Sequence, residues 1–107
     1  MGDERRKNSR IPTEQVVSFT AFAEKSRLGQ ARDISLSGIR FEASGLKLVP
    51  GDLLQVSFQV SGETIEAVGR VVRTKTVDSV TTEVALHFVR IDPWAARLIE
   101  REFGDEE

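Results

Sequence analysis

The sequence predicts a mainly β protein: a six-stranded antiparallel β-barrel followed by one C-terminal α-helix. Three observations carry that expectation. Apolar and polar residues alternate in several short runs, most cleanly at Leu54, Val56, Phe58 and Val60, which is the period of a half-buried strand. Turn-forming residues separate the runs, at Leu28-Gly29, Ser37-Gly38, Ser44-Gly45, Pro50-Gly51-Asp52, Ser61-Gly62 and Asp78-Ser79. The period then changes after Asp92-Pro93, where Trp94, Leu98 and Ile99 recur at helical spacing. Short strands at regular intervals with tight turns between them point to a small barrel. A chain of 107 residues has room for one domain with one modest core.

Taken in order, residues 1–10 hold almost no apolar side chain and form a flexible basic arm. Residues 11–103 form the barrel and its helix, and 104–107 are an acidic tail. Pro12 biases Ile11 to extended geometry. Val17, Phe19 and Ala21 line one face of a first strand. Gln30 to Leu36 make a second, ended or bent by Ser37-Gly38. Ile39, Phe41 and Ala43 share a face of a third. Leu54 to Val60 is the fourth, and Ser61-Gly62 is a two-residue hairpin signal. Ile65, Ala67 and Val71 continue on the fifth, with Gly69 at a bulge or close approach. Val84, Leu86 and Phe88 alternate on the sixth. Asp92 caps the helix, Pro93 opens it and Gly104 stops it, with Trp94 as the expected anchor onto the barrel.

Composition excludes several functions. There is no cysteine, so neither a disulfide framework nor a thiolate metal site is available. No apolar run approaches the roughly 18 residues of a membrane helix, and no secretory h-region follows the N-terminus, so a cytoplasmic location without membrane insertion is expected. The net charge of −2 argues against a nucleic-acid polymer as partner. Charge is nevertheless uneven. Arg5, Arg6, Lys7 and Arg10 crowd the start, while Asp105, Glu106 and Glu107 crowd the end. A local basic cluster on a mildly acidic body suits one small anion better than a long polyanion.

Two patterns carry chemistry. Asp33, Ser35 and Gly38 form Asp-x-Ser-x-x-Gly, and Arg6 and Arg10 form Arg-x-x-x-Arg. On a strand, Asp33 and Ser35 leave the same face and Ile34 and Leu36 the other. A carboxylate accepts two parallel hydrogen bonds, which matches the adjacent N1–H and 2-amino donors of guanine, and Ser35 adds one more bond. Gly38 is expected to turn the chain with φ > 0 and admit a ligand to the backbone. Guanidinium groups fork onto phosphate or guanine O6 and N7. The same spacing at Arg97 and Arg101 reads as a solvated helix face. Asp33 and Ser35 bonding to nearby backbone at a strand end is the plain structural alternative.

The two motifs in this order, with the strands and terminal helix behind them, resemble the PilZ domain, the bacterial receptor module for cyclic di-GMP. The resemblance runs from Arg6 to about Phe103. It implies a six-stranded barrel with a C-terminal helix. It also implies that Arg6 and Arg10 bind phosphate and guanine, and that Asp33 and Ser35 read a guanine edge near Gly38. Members commonly move the N-terminal arm on binding and so change the surface shown to a partner. Arg5 precedes the first motif arginine, a position thought in the family to set whether one or two stacked ligands are held; two are expected here. Arg40, two residues past Gly38, is an accessory candidate.

No cofactor is implied beyond that ligand, and the downstream protein, acting in trans, is not identified by the sequence. His87 is the only histidine, Ser35 has no adjacent base and Gly-rich phosphate motifs are absent, so no enzyme is expected. Two other readings compete. One is a PilZ-type protein-interaction module that binds no ligand. The other is an unrelated β domain whose basic arm touches RNA or anionic lipid, with a steep salt dependence.

Overall fold

The computed structural model describes residues 11–12, 15–21, 24–45 and 47–103. The arm with Arg5, Arg6 and Arg10, and the tail 104–107, lie outside the described residues. Seven strands precede one helix: β1 Ile11–Pro12, β2 Val16–Ala21, β3 Arg27–Ile34, β4 Gly38–Ser44, β5 Leu53–Val60, β6 Glu63–Thr76, β7 Thr81–Ile91 and α1 Pro93–Phe103. Six of them close a barrel in the order β3-β2-β5-β6-β7-β4, with β4 pairing back to β3. All pairings are antiparallel. The two-residue β1, absent from the six strands expected, pairs with the end of β3 beyond the stretch that β2 covers, with Ile11 opposite Ile34 and Pro12 opposite Asp33.

The alternation read from the sequence is the alternation of burial. Val17 and Phe19, Ile39 and Phe41, Leu54 to Val60 in steps of two, Ile65, Val71, Val84, Leu86 and Phe88 all face one core. Phe19 and Phe41 meet at 4.8 Å between ring centroids, and Phe58 stacks on Phe88 at 5.7 Å, arrangements that add to burial alone. The hairpin at Ser61-Gly62 has φ of 51° and 81°, the paired positive values that match the twist of two antiparallel strands. At the β6–β7 turn the Asp78 carboxylate accepts from the backbone N–H of Val80 and Thr81. Those bonds hold its carboxyl below the usual range.

Three departures from the expected elements have clear causes. Leu28-Gly29 is not a turn but lies within β3. Gly29 is there for space: a Cβ would come 2.9 Å from the Glu42 carbonyl oxygen and from the Phe41 ring. The bulge or close approach expected at Gly69 is found: the register shifts between Val68 and Gly69, and the Leu86 side chain is packed where a Cβ would stand. The second departure is that further bulges occur beside it and in β3. The register of β3 on β4 skips Arg32, and that of β6 on β7 skips Val89 and Val72. An extra residue resets which face the following side chains take, which is why Val72 and Val89 are exposed although both are apolar.

The third departure is the helix anchor. Trp94 is 45% exposed, and Ala95, Leu98 and Ile99 make the buried face instead. Residues i, i+3 and i+4 form one stripe of a helix, and Trp94 falls beside that stripe. The Asp92 carbonyl accepts from Ala95 and Ala96, starting the helix where expected. Ile99→Ala should therefore destabilise the fold by about 3 kcal/mol, and Trp94→Ala by less than about 1 kcal/mol. Urea unfolding of the two variants checks this ranking, and a reversed order would restore Trp94 as the anchor.

Among the described residues no helix is long and apolar enough to cross a membrane.

Candidate ligand site at the β3–β4 turn

The site is built where β3 ends, and the Arg32 bulge decides its chemistry. Ala31 is fully buried opposite Phe41, so an unbroken strand would send Asp33, two residues on, into the core as well. The extra residue prevents this. Asp33 pairs instead with Arg40, whose neighbours Ile39 and Phe41 point inward, so Asp33 lies on the outer face. Ile34 takes the core position opposite Ile39. The outward aim expected for Asp33 is correct, but it comes from the bulge rather than from plain alternation.

Asp33 is only 5% exposed despite facing outward. Its backbone runs between β1 and β4. Its Oδ2 accepts from Arg40 Nε at 2.9 Å and from Arg40 Nη2. Arg40 Nη1 lies 3.9 Å from the carboxylate of Glu83 on β7. The Asp33 hydrogen bond raises Arg40 above its ordinary value, against the opposing effect of partial burial, so the guanidinium stays charged. A second ion pair, Arg32 Nε to Glu42 at 3.7 Å, lies alongside. Burying a carboxylate this deeply requires a hydrogen-bonded partner, and Arg40 supplies it. Arg40, an accessory candidate by sequence, is in the structure the hydrogen-bonded partner of Asp33. The available signal was its position two residues past Gly38, on the face opposite the core residues Ile39 and Phe41.

Ser35 is not on the strand beside Asp33. β3 ends at Ile34, and Ser35 occupies the turn, fully buried. Its backbone N–H donates to the Gly38 carbonyl at 2.9 Å, its hydroxyl accepts from the Ser37 N–H at 3.2 Å, and its Oγ lies 3.1 Å from Ser37 Oγ. These are the local bonds of a serine turn. Leu36 is half-buried against the core, as expected.

Gly38 departs from expectation more sharply. Its φ is not positive. The glycine is needed because β4 and β7 approach closely there: a Cβ would sit 2.0 Å from the Leu86 carbonyl oxygen. The Phe88 N–H donates to the Ser37 carbonyl at 2.9 Å, tying the turn to β7.

Asp33, Ser35 and Gly38 are thus brought to one end of the barrel, on a turn fixed by β1, β4 and β7. Arg5, Arg6 and Arg10 lie outside the described residues, so only their point of attachment is defined: Ile11, next after Arg10, pairs with Ile34. The chain after β1 is also tied down. The Gln15 side chain donates to the Gln59 carbonyl at 2.9 Å and accepts from the Gln59 N–H at 2.8 Å. A cleft of about 710 Å³, lined by Phe19, Arg27, Lys47 and Leu54 among others, opens at the far end of β3 and includes none of the motif residues.

A closed antiparallel barrel with a terminal helix, and an Asp-x-Ser-x-x-Gly turn set beside the entering N-terminal strand, defines a small binding domain. The chain belongs to the PilZ domain family, whose model matches residues 4–103. Among solved structures it is similar to the inhibitor of motility MotI/DgrA of Bacillus subtilis, at 18% identity and a TM-score of 0.76 over 92% of this chain and 49% of that one. It is similar to the PilZ domain of YcgR from Escherichia coli, solved with c-di-GMP, at 16% identity and 0.69 over 92% and 88%. The K. pneumonia MrkH–c-di-GMP complex follows at 17% and 0.72, over 92% and 49%. The chain spans about half the length of MotI/DgrA and of MrkH. At these identities the likeness is one of fold. No curated protein matches the chain by sequence.

Proposed function

We propose that this domain is a receptor for cyclic di-GMP and not an enzyme. The observation that carries the reading is the pairing of β1 with the end of β3. It fixes the chain immediately after Arg10 against Ile34, one residue from both Asp33 and Ser35. An arm with three arginines is thereby tethered at the rim of an acidic and hydroxyl-bearing turn. Guanine offers its N1–H and 2-amino donors to Asp33, and the phosphates and the other guanine edge face Arg5, Arg6 and Arg10. The ligand orders the arm over the turn, and the ordered arm with its ligand presents a new surface to a protein acting in trans. PilZ family membership and the cyclic di-GMP complexes of YcgR and MrkH support the same reading.

One observation favours the competing reading of a domain that binds no nucleotide. The Ser35 hydroxyl is satisfied within its own turn and Asp33 is held by Arg40, as in a turn that serves only the fold. Calorimetric titration with cyclic di-GMP at near-physiological salt, with cyclic di-AMP as control, separates the two. Selective binding at micromolar concentration or tighter is expected. Arg10→Ala should weaken it about tenfold or more, because charge-assisted hydrogen bonds contribute roughly 1.5–3 kcal/mol each. Absence of binding to the native chain would leave the interaction module. Unchanged affinity in the variant would remove the arm from the site.

A further inference from the structure

The second Arg-x-x-x-Arg of the chain, Arg97 and Arg101, lies on α1 and takes no part in the ligand turn. With Trp94 and Leu98 it fills positions i, i+3, i+4 and i+7, one stripe of the helix. The stripe runs along the edge of the buried face. Leu98 sits at the seam with the barrel, while Trp94, Arg97 and Arg101 are exposed. Glu63, the first residue of β6 after the hairpin, stands across from them. These five residues line a groove of about 330 Å³ between α1 and that hairpin. Nothing in the fold requires an indole here, because Ala95, Leu98 and Ile99 make the buried face of α1.

The α1 wall of the groove offers hydrogen-bond donors and no acceptors. Indole and guanidinium groups only donate. The Trp94 Nε1–H and the Arg97 guanidinium have no partner among the described residues. Arg101 has only its sequence neighbour Glu102, at 4.0 Å. Glu63 forms no ion pair with either arginine. A chain segment that fills this groove must bring acceptors to α1, and carboxylates make the stronger, charge-assisted bonds. Arg97 and Arg101 are one helical turn apart, roughly 6 Å between Cβ atoms, so two carboxylates at that spacing engage both. The half-exposed indole adds apolar area for a leucine or similar residue beside them. Tryptophan and arginine are also the side chains that dominate binding at protein interfaces. A second copy of this chain fits poorly, because a two-fold pairing of α1 sets the arginines of one copy against those of the other.

We propose that Trp94, Arg97 and Arg101 form a docking surface for an acidic segment of a partner protein, with carboxylates one helical turn apart beside an apolar residue. The surface shares no residue with the ligand turn, so it stands or falls independently of the receptor reading. Trp94 is the only tryptophan, and its emission reports on the surface directly. The probe is an acetyl-capped helical peptide with a leucine flanked by glutamates one turn apart, beside a counterpart with glutamine at every glutamate. Saturable binding of the acidic peptide with a blue shift of Trp94 emission is expected, and the glutamine peptide should bind at least about tenfold more weakly. Arg97→Gln/Arg101→Gln should weaken the acidic peptide about a hundredfold, each guanidinium contributing about tenfold, and leave thermal unfolding and the cyclic di-GMP titration as in the native chain. Lys75→Gln/Arg90→Gln removes the same charge from exposed strand positions and should leave peptide binding unchanged. Absence of saturable binding to the native chain overturns the surface. So does equal binding of the two peptides, and so does an equal loss in the two variants, which would make the attraction one of bulk charge.

Discussion

Asp33→Asn should lower cyclic di-GMP affinity by about a hundredfold or more and erase the preference for guanine over adenine. The change keeps the side chain's size and replaces one carboxylate acceptor with an amide donor. In the proposed complex that donor faces a guanine donor, so one charge-assisted bond is lost and a repulsive contact replaces it. Hydrogen bonds to charged groups contribute roughly 1.5–3 kcal/mol, and a wrongly paired buried group costs a similar amount, together about 3 kcal/mol or more. The fold should lose stability as well, because Asp33 is buried and the Arg40 guanidinium keeps its charge, although the asparagine oxygen still accepts from Arg40. Titration with both cyclic dinucleotides, beside thermal unfolding, separates the effects. Native affinity and selectivity in the variant would take guanine reading away from Asp33.

Gly38→Ala should be the most damaging single methyl in the site. The added Cβ would stand 2.0 Å from the Leu86 carbonyl oxygen and 3.1 Å from its carbon. Both atoms are backbone, so no side-chain rotation relieves the contact. The strands must part where Ile39 and Leu86, both in the core, lie opposite each other. Overpacking of this kind costs about 3 kcal/mol, equivalent to a fall in Tm of roughly 15 °C for a domain of this size. The Ser37–Phe88 bond that fixes the turn lies beside the clash, so ligand binding should weaken as well. An unchanged Tm would mean that β4 and β7 separate at little cost, and that the glycine is there for the ligand alone.

The same residue shows how motif and mechanism come apart. Gly38 is legible in the sequence as a required glycine, and its place in Asp-x-Ser-x-x-Gly is legible too. The reason for it is not. A turn glycine and a close-approach glycine look identical in a sequence, because the atom that excludes a side chain belongs to a strand about fifty residues away. Trp94 repeats the point. Helical spacing locates α1, but which stripe of the helix meets the barrel depends on how the helix is set against β5.

Whatever depends on local periodicity and local backbone chemistry is legible in the chain alone. The two-residue alternation of Leu54 to Val60, the Ser61-Gly62 hairpin, the helix opened by Asp92-Pro93 and the Asp-x-Ser-x-x-Gly motif all belong there. Register across strands is set by the closed barrel. The bulge at Arg32 turns Asp33 out of the core and onto Arg40. The bulges at Val72 and Val89 leave both valines exposed, and β1 anchors the basic arm next to Ile34. A bulge leaves no composition signal of its own. It exists because two strands of unequal residue count must match hydrogen bonds while keeping their apolar faces inward, a condition that neither strand carries alone.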